Sequence, residues 1–378
     1  MTSYFATCAR GLEPVLAQEL TALGVRAVEP GRGGVRFTGD TAALYRANLW
    51  LRTAIRVLQP IWEADISSTD ELYAVTREVK WSDYLTPDHT LAVDCNVRDS
   101  AITHSQYAAR RVKDAICDQF RERTGRRPSV DPDQPLLGLN LHIYRNHAVL
   151  SRDSSWVSLH KRGYRPIQTI APLNEALAAG LILHTGWDPA TPLVDPLCGS
   201  GTFCIEAAWI ALKRPPGLTR RWFGFQGWRD FDRPLWNALR DEARANIRKQ
   251  LPAPISGSDV HKGAIELAWA NARAAGVGHL LKLEQRKLGD ARPPDGPAGL
   301  VIVNPPYGER IGEEREWTRL YSQLGAVMGR YWSGWRLVVF TSNPRLARTV
   351  GLPILKRVPF FNGKIPCQLW EYDTTTPS

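Results

Sequence analysis

Residues 195–208, DPLCGSGTFCIEAA, decide the fold. A short apolar strand ends at Asp195, a loop with two glycines follows, and a helix is expected to begin near Thr202. In an open α/β sheet, ligands bind at the carboxyl ends of the strands, and a helix that begins there favours anionic groups. Gly199 and Gly201 let the backbone approach a nucleoside or a carboxylate closely. A tight strand–helix turn with no ligand is the alternative that this stretch leaves open.

Strands and helices alternate from residue 192 onward. The predicted strands are 193–195, 255–260, 281–285, 300–304 and 336–342, and helices such as 261–275 and 316–331 separate them. This alternation predicts an α/β, doubly wound parallel sheet with helices on both faces. Two last strands, near 354–360 and 367–372, are too close together for a helical crossover, so an antiparallel hairpin is expected there.

The first 155 residues have a mixed α and β pattern. Strands are predicted at 4–8, 34–39 and 90–97, helices at 13–23, 41–52 and 101–123, and a β-hairpin at 138–151. Apolar residues recur at helical spacing in the first of these helices and alternate in the strands. This half is therefore expected to form α+β units in front of the parallel sheet.

Composition restricts the class of protein. The chain has 378 residues and a formal net charge of +10, which fits a polyanionic partner or a basic surface kept for solubility. The six cysteines form no CxxC pair, so neither a zinc site nor a disulfide framework is expected, and a reducing, cytoplasmic location is favoured. No apolar run reaches the roughly 18 residues of a membrane helix, and the N-terminus lacks the order of a signal peptide.

Two acidic residues follow the next strands of the predicted sheet. Asp259 ends the second strand, where an acidic residue in dinucleotide folds accepts hydrogen bonds from ribose hydroxyls. An aspartate in front of a helix is also a common N-cap, and both roles are compatible. Asp290 follows the third strand and is placed to meet the exocyclic amine of a purine, although it could also be an ordinary loop acid.

The motif NPPYGER, residues 304–310, follows the apolar strand 299–303. Two consecutive prolines remove amide donors and leave carbonyl acceptors exposed. The Asn304 side chain adds a carbonyl, and Tyr307 offers a flat face. Such a cluster suits a planar ring that carries an NH2 group, and it lies at the same edge of the sheet as the glycine loop. A proline-terminated strand with a packed tyrosine is the structural alternative.

With these motifs in place, the chain resembles the Rossmann-fold RNA methyltransferases that carry an N-terminal THUMP domain and form N2-methylguanine. The resemblance extends over the hairpin 139–153, the linker LHKRGYR (159–165), APLNEALAAGLI (171–182), both motifs above and the closing FNGKIPCQLWEY (361–372). The bacterial large-subunit (23S) rRNA guanine-N2 enzymes are the most similar members, and the transfer-RNA members are the near alternative.

The resemblance implies a ferredoxin-like domain at 1–64, a THUMP domain that binds RNA at 65–155, a linker at 156–170 and a methyltransferase domain at 171–378. It implies S-adenosylmethionine as cofactor, structured RNA as partner, and neither a metal nor a membrane. The implied cofactor residues are Asn174, Asp195, Cys198, Gly199, Ser200, Gly201, Thr202, Glu206, Asp259, Val260, Asp290, Ala291 and Asn304. The implied catalytic residues are Asn304, Pro305, Pro306 and Tyr307, which would hold the target base.

RNA affinity is expected to come from phosphate contacts. The candidate residues are Arg110, Arg111, Lys113, Arg123, Arg126, Arg127, Arg220 and Arg221. The last two belong to the run RPPGLTRRWFGFQGWRDF (214–231), in which arginines and aromatic residues interleave as in single-stranded RNA binding. Packing of these aromatic residues against the sheet is an equally favoured interpretation.

Three functions remain in competition at this stage. The favoured one is methylation of the guanosine N2 amine in 23S rRNA, with the same reaction on tRNA as the near alternative. A DNA or protein N-methyltransferase could use the same NPPY motif, and a non-catalytic RNA-binding chaperone belongs to another class. An intact glycine loop beside an intact NPPY favours catalysis. The target RNA, the target guanosine and the oligomeric state do not follow from the sequence.

Overall fold

The chain is described by a computed structural model for residues 1–165, 173–306 and 314–375. Two β-sheets organise it, one in each half. The strands of the first sheet are β1 (Thr2–Cys8), β2 (Arg26–Gly31), β3 (Gly34–Gly39), β4 (Ala54–Asp65), β5 (Thr90–Arg98), β6 (Ser129–Val130), β7 (Leu137–Tyr144) and β8 (His147–Asp153). The helices of this half are α1 (Glu13–Ala22), α2 (Thr41–Trp50), α3 (Thr69–Glu78) and α4 (Ser105–Thr124).

The first sheet is continuous across the two α+β units. Its strand order is β2-β3-β1-β4-β8-β7-β5-β6. The long strand β4 pairs antiparallel with β1 on one side and with β8 on the other, so it joins the units into one sheet. Its register shifts between Pro60 and Trp62, because proline cannot donate to the ladder and a bulge accommodates it.

The second sheet carries the α/β pattern. Its strands are β9 (Leu193–Asp195), β10 (Ile255–Asp259), β11 (Lys282–Gln285), β12 (Leu300–Val303), β13 (Arg336–Thr341), β14 (Ile354–Asn362) and β15 (Ile365–Asp373). Its helices are α5 (Glu175–His184), α6 (Thr202–Ala211), α7 (Arg233–Ala245), α8 (Lys262–Ala274), α9 (Glu314–Tyr331) and α10 (Pro344–Arg348). The strand order is β11-β10-β9-β12-β13-β15-β14.

The doubly wound fold class is confirmed. Strands β9 to β13 pair in parallel, whereas β15 pairs antiparallel with both β13 and β14, as the predicted closing hairpin requires. All four residues of β12 are buried, which is typical of a strand covered on both faces. Between β9 and β12 the connections turn to opposite faces of the sheet. This switch point is where open α/β sheets bind ligands.

The run 214–231 packs inside the protein. Phe225 is fully buried, and its ring lies 4.4 Å from that of Tyr45 in α2 and 5.1 Å from that of Trp236 in α7. Phe223 stacks on Phe225 at 5.4 Å. Trp228 is buried under the guanidinium of Arg152, which lies 3.8 Å from the ring centroid. Of the two interpretations of this run, the structure favours packing.

Candidate active site

A cavity of about 430 Å³ opens at the switch point of the second sheet. It is bounded by the carboxyl ends of β9 and β12, the loop that follows β9, and the first turns of α6 and α8. The lining residues are Leu173, Asp195, Leu197, Cys198, Gly199, Ser200, Thr202, Phe203, Gly263, Ala264, Leu267 and Asn304. The glycine loop and the asparagine of the NPPY motif are about a hundred residues apart in sequence, and the fold brings them to one cavity.

The two glycines of the loop have positive φ, which explains the residue type at both positions. Gly199 has φ of +51° and Gly201 has φ of +79°. A side chain at Gly199 would meet no protein atom within 4 Å, because this residue borders the cavity. A side chain at Gly201 would lie 3.1 Å from Cβ of Ala268, so this glycine lets α6 begin close against α8. The loop is thus shaped for a ligand and for helix packing together.

Asp195 supplies a buried carboxyl group to the cavity. Its side chain is 2% exposed, and Oδ1 accepts a hydrogen bond from the backbone N–H of Leu197 at 3.1 Å. Burial raises the pKa of Asp195 well above its usual range, and the nearby carboxylate of Asp259 raises it further. A desolvated carboxyl of this kind is best satisfied by a cationic group in the cavity.

Asp259 organises the loop that carries the glycines. Its Oδ2 accepts from the backbone N–H of Gly199 at 3.1 Å, and its Oδ1 accepts from the backbone N–H of His261 at 2.9 Å. The capping interpretation is wrong, because the N-cap of α8 is His261 and no side chain bonds the first amides of that helix. Asp259 instead fixes the turn between β10 and α8, and the second lone pair on each of its oxygens is still available to a ribose hydroxyl. Val260 beside it is 48% exposed, which leaves an apolar surface at the same edge.

Asp290 and Ala291 lie in a short turn after β11, at the same end of the sheet. The backbone N–H of Asp290 donates to the carbonyl of Lys287 at 3.0 Å, and Ala291 is buried. Neither residue lines the cavity, nor do Asp259 and Val260. The contacts of these four residues with an adenosine therefore stay predictions. If they form, the bound ligand extends from the cavity toward β10 and β11.

Asn304 lines the cavity and carries an unsatisfied acceptor. Its Oδ1 is buried and has no hydrogen-bond partner among the described residues. Pro305 is buried and Pro306 is exposed, and neither has an amide hydrogen to offer. The predicted role of Tyr307 falls on residues 307–313, outside the described part of the chain. A buried amide oxygen without a donor costs about 1–3 kcal/mol, so the geometry calls for a donor from outside.

Two of the predicted cofactor residues are engaged elsewhere. Asn174 caps α5, with Oδ1 accepting from the backbone N–H of Leu177 at 3.1 Å, although its neighbour Leu173 lines the cavity. Glu206 is fully buried on α6, where Oε1 accepts from the hydroxyl of Tyr164 at 3.1 Å and lies 3.5 Å from Nε of Arg162. It does not line the cavity. Glu206 thus forms a buried ion pair with the linker, while its Oε2 is buried without a hydrogen-bond partner among the described residues, and its role in cofactor binding stays a prediction.

Arg165 is a functional candidate that the sequence analysis did not identify. It ends the linker motif 159–165 and fastens it to the cavity wall. Nη2 donates to the carbonyl of Leu173 at 2.6 Å and to Oγ1 of Thr202 at 2.7 Å, and both of these residues line the cavity. Its Nε lies 3.5 Å from Oε1 of the buried Glu175. The only sequence signal for a role of Arg165 is its position at the end of the LHKRGYR motif, because no spacing rule links residue 165 to residue 202.

The Arg165 contacts predict separable effects on ligand binding and on stability. In Arg165→Met, loss of the bonds to Thr202 and Leu173 should weaken S-adenosylmethionine binding about tenfold, the effect of one or two hydrogen bonds. The uncompensated buried Glu175 should also cost about 3–5 kcal/mol of unfolding free energy. Calorimetric titration and urea denaturation measure the two effects.

A second variant distinguishes positioning from simple stability. Adding Glu175→Gln to Arg165→Met removes the unpaired charge and should restore most of the stability, while ligand affinity stays low. If affinity returned together with stability, Arg165 would be a structural residue only.

The predicted RNA-contacting arginines differ in availability. Arg111 pairs with Asp70 at 2.9 Å and lies over the ring of Tyr73, Lys113 pairs with Asp114 at 2.7 Å, and Arg126 pairs with Asp88. Exposed arginines without an ion pair to a described residue are Arg110, Arg123, Arg127 and Arg221. The charged surface of α4 therefore stays a prediction for phosphate contacts.

Arg220, one of the predicted RNA-contacting residues, is engaged with the protein backbone. Its guanidinium donates to the backbone carbonyls of Ser155, Val157 and Ser158, at 3.3, 2.6 and 3.0 Å. Burial lowers the pKa of Arg220 to about 10. Through these contacts the side chain holds the segment that leaves β8, and its predicted contact with a phosphate stays a prediction. The neighbouring Arg221 is exposed and makes no such contact with a described residue, so it is the more available of the two for a phosphate.

Packing of the 214–231 run predicts that its aromatic residues matter for stability. Phe225→Ala should lower the unfolding free energy by about 3–5 kcal/mol, the usual cost of truncating a buried phenylalanine. Urea denaturation measures it. The half-exposed Trp222, changed to alanine, is the control and should cost far less. Loss of RNA affinity in Phe225→Ala with unchanged stability would contradict the packing interpretation.

Comparison with known families decides the lineage. The family described as "RMKL-like, methyltransferase domain" matches residues 162–371, "RlmL ferredoxin-like domain" matches 3–58, and "THUMP domain" matches 67–153. The chain belongs to the RMKL-like methyltransferase family. A protein of Synechocystis named "Putative RNA methyltransferase" is 44% identical over 98% of this chain and 96% of its own length.

A second relative is a longer protein. The "Ribosomal RNA large subunit methyltransferase K/L" of Syntrophotalea carbinolica is 46% identical over 98% of this chain but over only 53% of its own length. The chain therefore spans about half the length of that curated relative.

Solved structures agree on the fold. A structure titled "a putative methyltransferase complexed with SAH" superposes with a TM-score of 0.90, at 30% identity over 98% of each chain. A Listeria monocytogenes structure titled as a predicted N6-adenine-specific DNA methylase has a TM-score of 0.88, at 34% identity over 98% of this chain and 96% of that one. The shared fold of these titled methylases confirms that the second sheet is a methyltransferase sheet.

Two features are absent from the described part of the chain. No helix among residues 1–165, 173–306 and 314–375 is long and apolar enough to cross a membrane. In the same ranges, no three His, Cys, Asp or Glu side chains gather as a metal-binding group.

Proposed function

We propose that the chain transfers a methyl group from S-adenosylmethionine to the exocyclic N2 amine of a guanosine in large-subunit rRNA. The observation that carries this proposal is the buried Oδ1 of Asn304, which has no partner among the described residues and belongs to a residue that lines the same cavity as the glycine loop. An acceptor of this kind requires a donor such as an aromatic amine. The rRNA substrate is supported by the printed name of the Syntrophotalea relative, and the cofactor by the SAH complex of a structural neighbour.

The residues of the cavity fit S-adenosylmethionine. The buried carboxyl of Asp195 suits its ammonium group, and the start of α6 at Thr202 suits its carboxylate. The free space beside Gly199 leaves room for the ligand to lie against the backbone. Asp259 would accept from the ribose, with Val260 and the turn of Asp290 and Ala291 beside the adenine. When bound, S-adenosylmethionine supplies an electrophilic methyl carbon.

The chain activates the amine by orienting it. The lone pair of guanine N2 is delocalised into the ring, so the amine is a poor nucleophile. Asn304 Oδ1 and the carbonyl of Pro305 would accept its two N–H bonds, which holds the lone pair toward the cavity. Acceptors fixed in place stabilise the positive charge that develops on nitrogen, and such preorganised groups contribute about 10²–10³ in rate. No strong general base is needed, because the alkylated ammonium is acidic and loses its proton to water.

The target base must leave its helix or occupy a loop before it reaches the cavity. Enzymes that modify a base meet this need by acting on unpaired nucleotides or by flipping the base out. The predicted THUMP domain at 65–155 and ferredoxin-like domain at 1–64 would hold the surrounding RNA, with the linker 156–170 leading to the methyltransferase domain 171–378. We propose a cytoplasmic location for this activity, in keeping with six free cysteines among the described residues.

The experiment is methyl transfer from labelled S-adenosylmethionine to purified large-subunit rRNA, with tRNA and DNA as parallel substrates. Digestion to nucleosides and mass spectrometry identify the product. Label in N2-methylguanosine from rRNA is expected. The same nucleoside from tRNA alone would move the substrate to the near alternative, and N6-methyladenosine in DNA would favour the activity printed for the Listeria structure. No label in any nucleic acid would favour a non-catalytic RNA-binding chaperone.

A further inference from the structure

A second cavity, of about 320 Å³, lies on the first sheet and far from the glycine loop in sequence. All of its lining residues lie on β1, β3, β4, β7, β8 and the turn between β2 and β3. In β1, Ser3, Phe5 and Thr7 line the cavity together with the buried Tyr4, whereas Ala6 and Cys8 are buried in the core and do not line it. The cavity is therefore a groove in the face of the sheet opposite the core, and we call it the sheet groove.

A contact across the sheet closes one side of the groove. Arg32, in the turn between β2 and β3, donates from Nη1 to the hydroxyl of Tyr144 at 2.9 Å. Tyr144 ends β7, and the strand order places β1, β4 and β8 between β3 and β7. The sheet must curl strongly for this contact to form, which makes its face concave. Arg145 also lies over the Tyr144 ring, 5.2 Å from its centroid.

The floor of the groove is aromatic and apolar. Phe5 lies at the centre of β1, with Arg36 of β3 opposite it on one side and Leu58 of β4 on the other. A side chain at Gly34 would lie 2.6 Å from Cζ of Phe5, so the ring extends over this glycine. Pro60 and the other apolar lining residues continue the floor. A half-buried ring on an open sheet face is the arrangement on which proteins stack unpaired bases.

The rim of the groove is mainly cationic and polar. Arg32 and Arg36 are exposed, with His142 on the opposite side, and Glu63 is the one acidic residue in the lining. No ion pair joins Arg36 to a described residue. Two guanidinium groups beside an aromatic floor complement a phosphate linked to a base, and the groove volume suits a single nucleotide.

We infer that the sheet groove holds one unpaired nucleotide of the RNA substrate, with its base on Phe5 and its phosphate on Arg36 and Arg32. This inference rests on the proposed RNA methyltransferase function. It adds a binding site for single-stranded RNA that is separate from the methyl-transfer cavity. Such a site would hold a flanking unpaired nucleotide while the target base enters the cavity of the second sheet.

The test measures binding rather than methylation. A fluorescent single-stranded RNA of about ten nucleotides is titrated by anisotropy into the full chain and its variants. Phe5→Leu keeps apolar volume but loses the aromatic face, and it should weaken binding about tenfold. Arg36→Gln should weaken it similarly and reduce the slope of log affinity against log salt by about 0.7. The matched control is Arg26→Gln, an exposed arginine on β2 outside the groove.

A spectroscopic variant reports on the groove itself. Phe5→Trp should show fluorescence quenching by the same RNA, since the base stacks on the indole. In all four variants the S-adenosylmethionine affinity, measured by calorimetry, should equal that of the wild type. An unchanged affinity shows that the variants are folded.

The outcomes separate the groove from the proposed function. The groove assignment would be overturned if the wild type bound the RNA and neither Phe5→Leu nor Arg36→Gln weakened that binding. It would also be overturned if RNA left the indole emission of the Phe5→Trp variant unchanged. Either result would leave the proposed function in place. Equal losses in Arg26→Gln and Arg36→Gln would show only a diffuse charge effect and would also overturn the groove assignment. A wild type that binds neither this RNA nor rRNA would contradict the proposed function itself.

Discussion

Asn304→Ala is expected to reduce methyl transfer about 10²–10³-fold in kcat/KM, because one preorganised acceptor at the reacting amine is removed. Asn304 lines the cavity and its buried Oδ1 has no partner among the described residues, so its substitution leaves no broken contact behind. Stability should therefore change little. Single-turnover methylation of rRNA, with calorimetric titration of S-adenosylmethionine, measures rate and affinity separately.

Asn304→Asp is the matched variant for this result. The carboxylate keeps an oxygen acceptor in the same place, so this variant should be clearly more active than Asn304→Ala. Equal activity of the alanine variant and the wild type would show that the amine is oriented by other groups. A loss confined to S-adenosylmethionine affinity would make Asn304 a cofactor ligand only.

Asp195→Asn should weaken S-adenosylmethionine binding by about 30-fold or more. Loss of one charge from a buried, hydrogen-bonded pair costs about 2 kcal/mol or more. The substitution is isosteric, and the amide can still accept from the backbone N–H of Leu197, so the loop should keep its form. Calorimetry measures the loss, and an unchanged affinity would mean that the carboxyl does not meet the ammonium group.

The same residue gives the binding a pH dependence. Burial raises the pKa of Asp195, and an ammonium partner favours its ionised form, so ligand binding releases a proton. Affinity should then fall by up to about tenfold for each pH unit below the raised pKa. Without ligand, the raised pKa makes the folded state bind the proton more tightly than the unfolded state, so this group's contribution to stability falls as the pH rises. Asp195→Asn should remove the pH dependence of binding.

The sequence predicted the second sheet well because its signals are local. The strand Leu193–Asp195 was placed at its observed bounds, and the other parallel strands were placed within one residue at each end. A few consecutive residues are enough to indicate a short buried strand, a glycine with positive φ, or a proline that ends a strand. The convergence of the glycine loop and Asn304 followed from the rule for carboxyl ends of parallel strands.

Elements of the first sheet were missed where the local signals conflict. The 12-residue strand β4 contains Pro60, which argues against a central strand, and the bulge that accommodates it depends on pairing with β8. Strand β2 is almost fully exposed and has no apolar alternation to reveal it.

Helices α3 and α7 were also not predicted, although α7 buries Trp236, Leu239 and Ala243 on one face.

The surroundings of several predicted site residues depend on tertiary contacts. Glu206 lies one turn after Thr202 on α6, and only the position of the linker shows that it pairs with Arg162 instead of lining the cavity. Arg220 is adjacent to the exposed Arg221, and only the path of the segment after β8 explains its burial. Arg165 acts across 37 residues of sequence. No pattern in a single sequence encodes such contacts.

A crystal structure of the chain with S-adenosylhomocysteine and a guanosine-containing RNA oligonucleotide would test most directly whether Asn304 orients the reacting amine. We expect the adenosyl group along Gly199 and Asp259, and the guanine N2 within hydrogen-bond distance of Asn304 Oδ1, between that oxygen and the sulfur. A guanine edge turned away from Asn304, or a sulfur on the far side of the cavity from it, would show that Asn304 does not orient the amine.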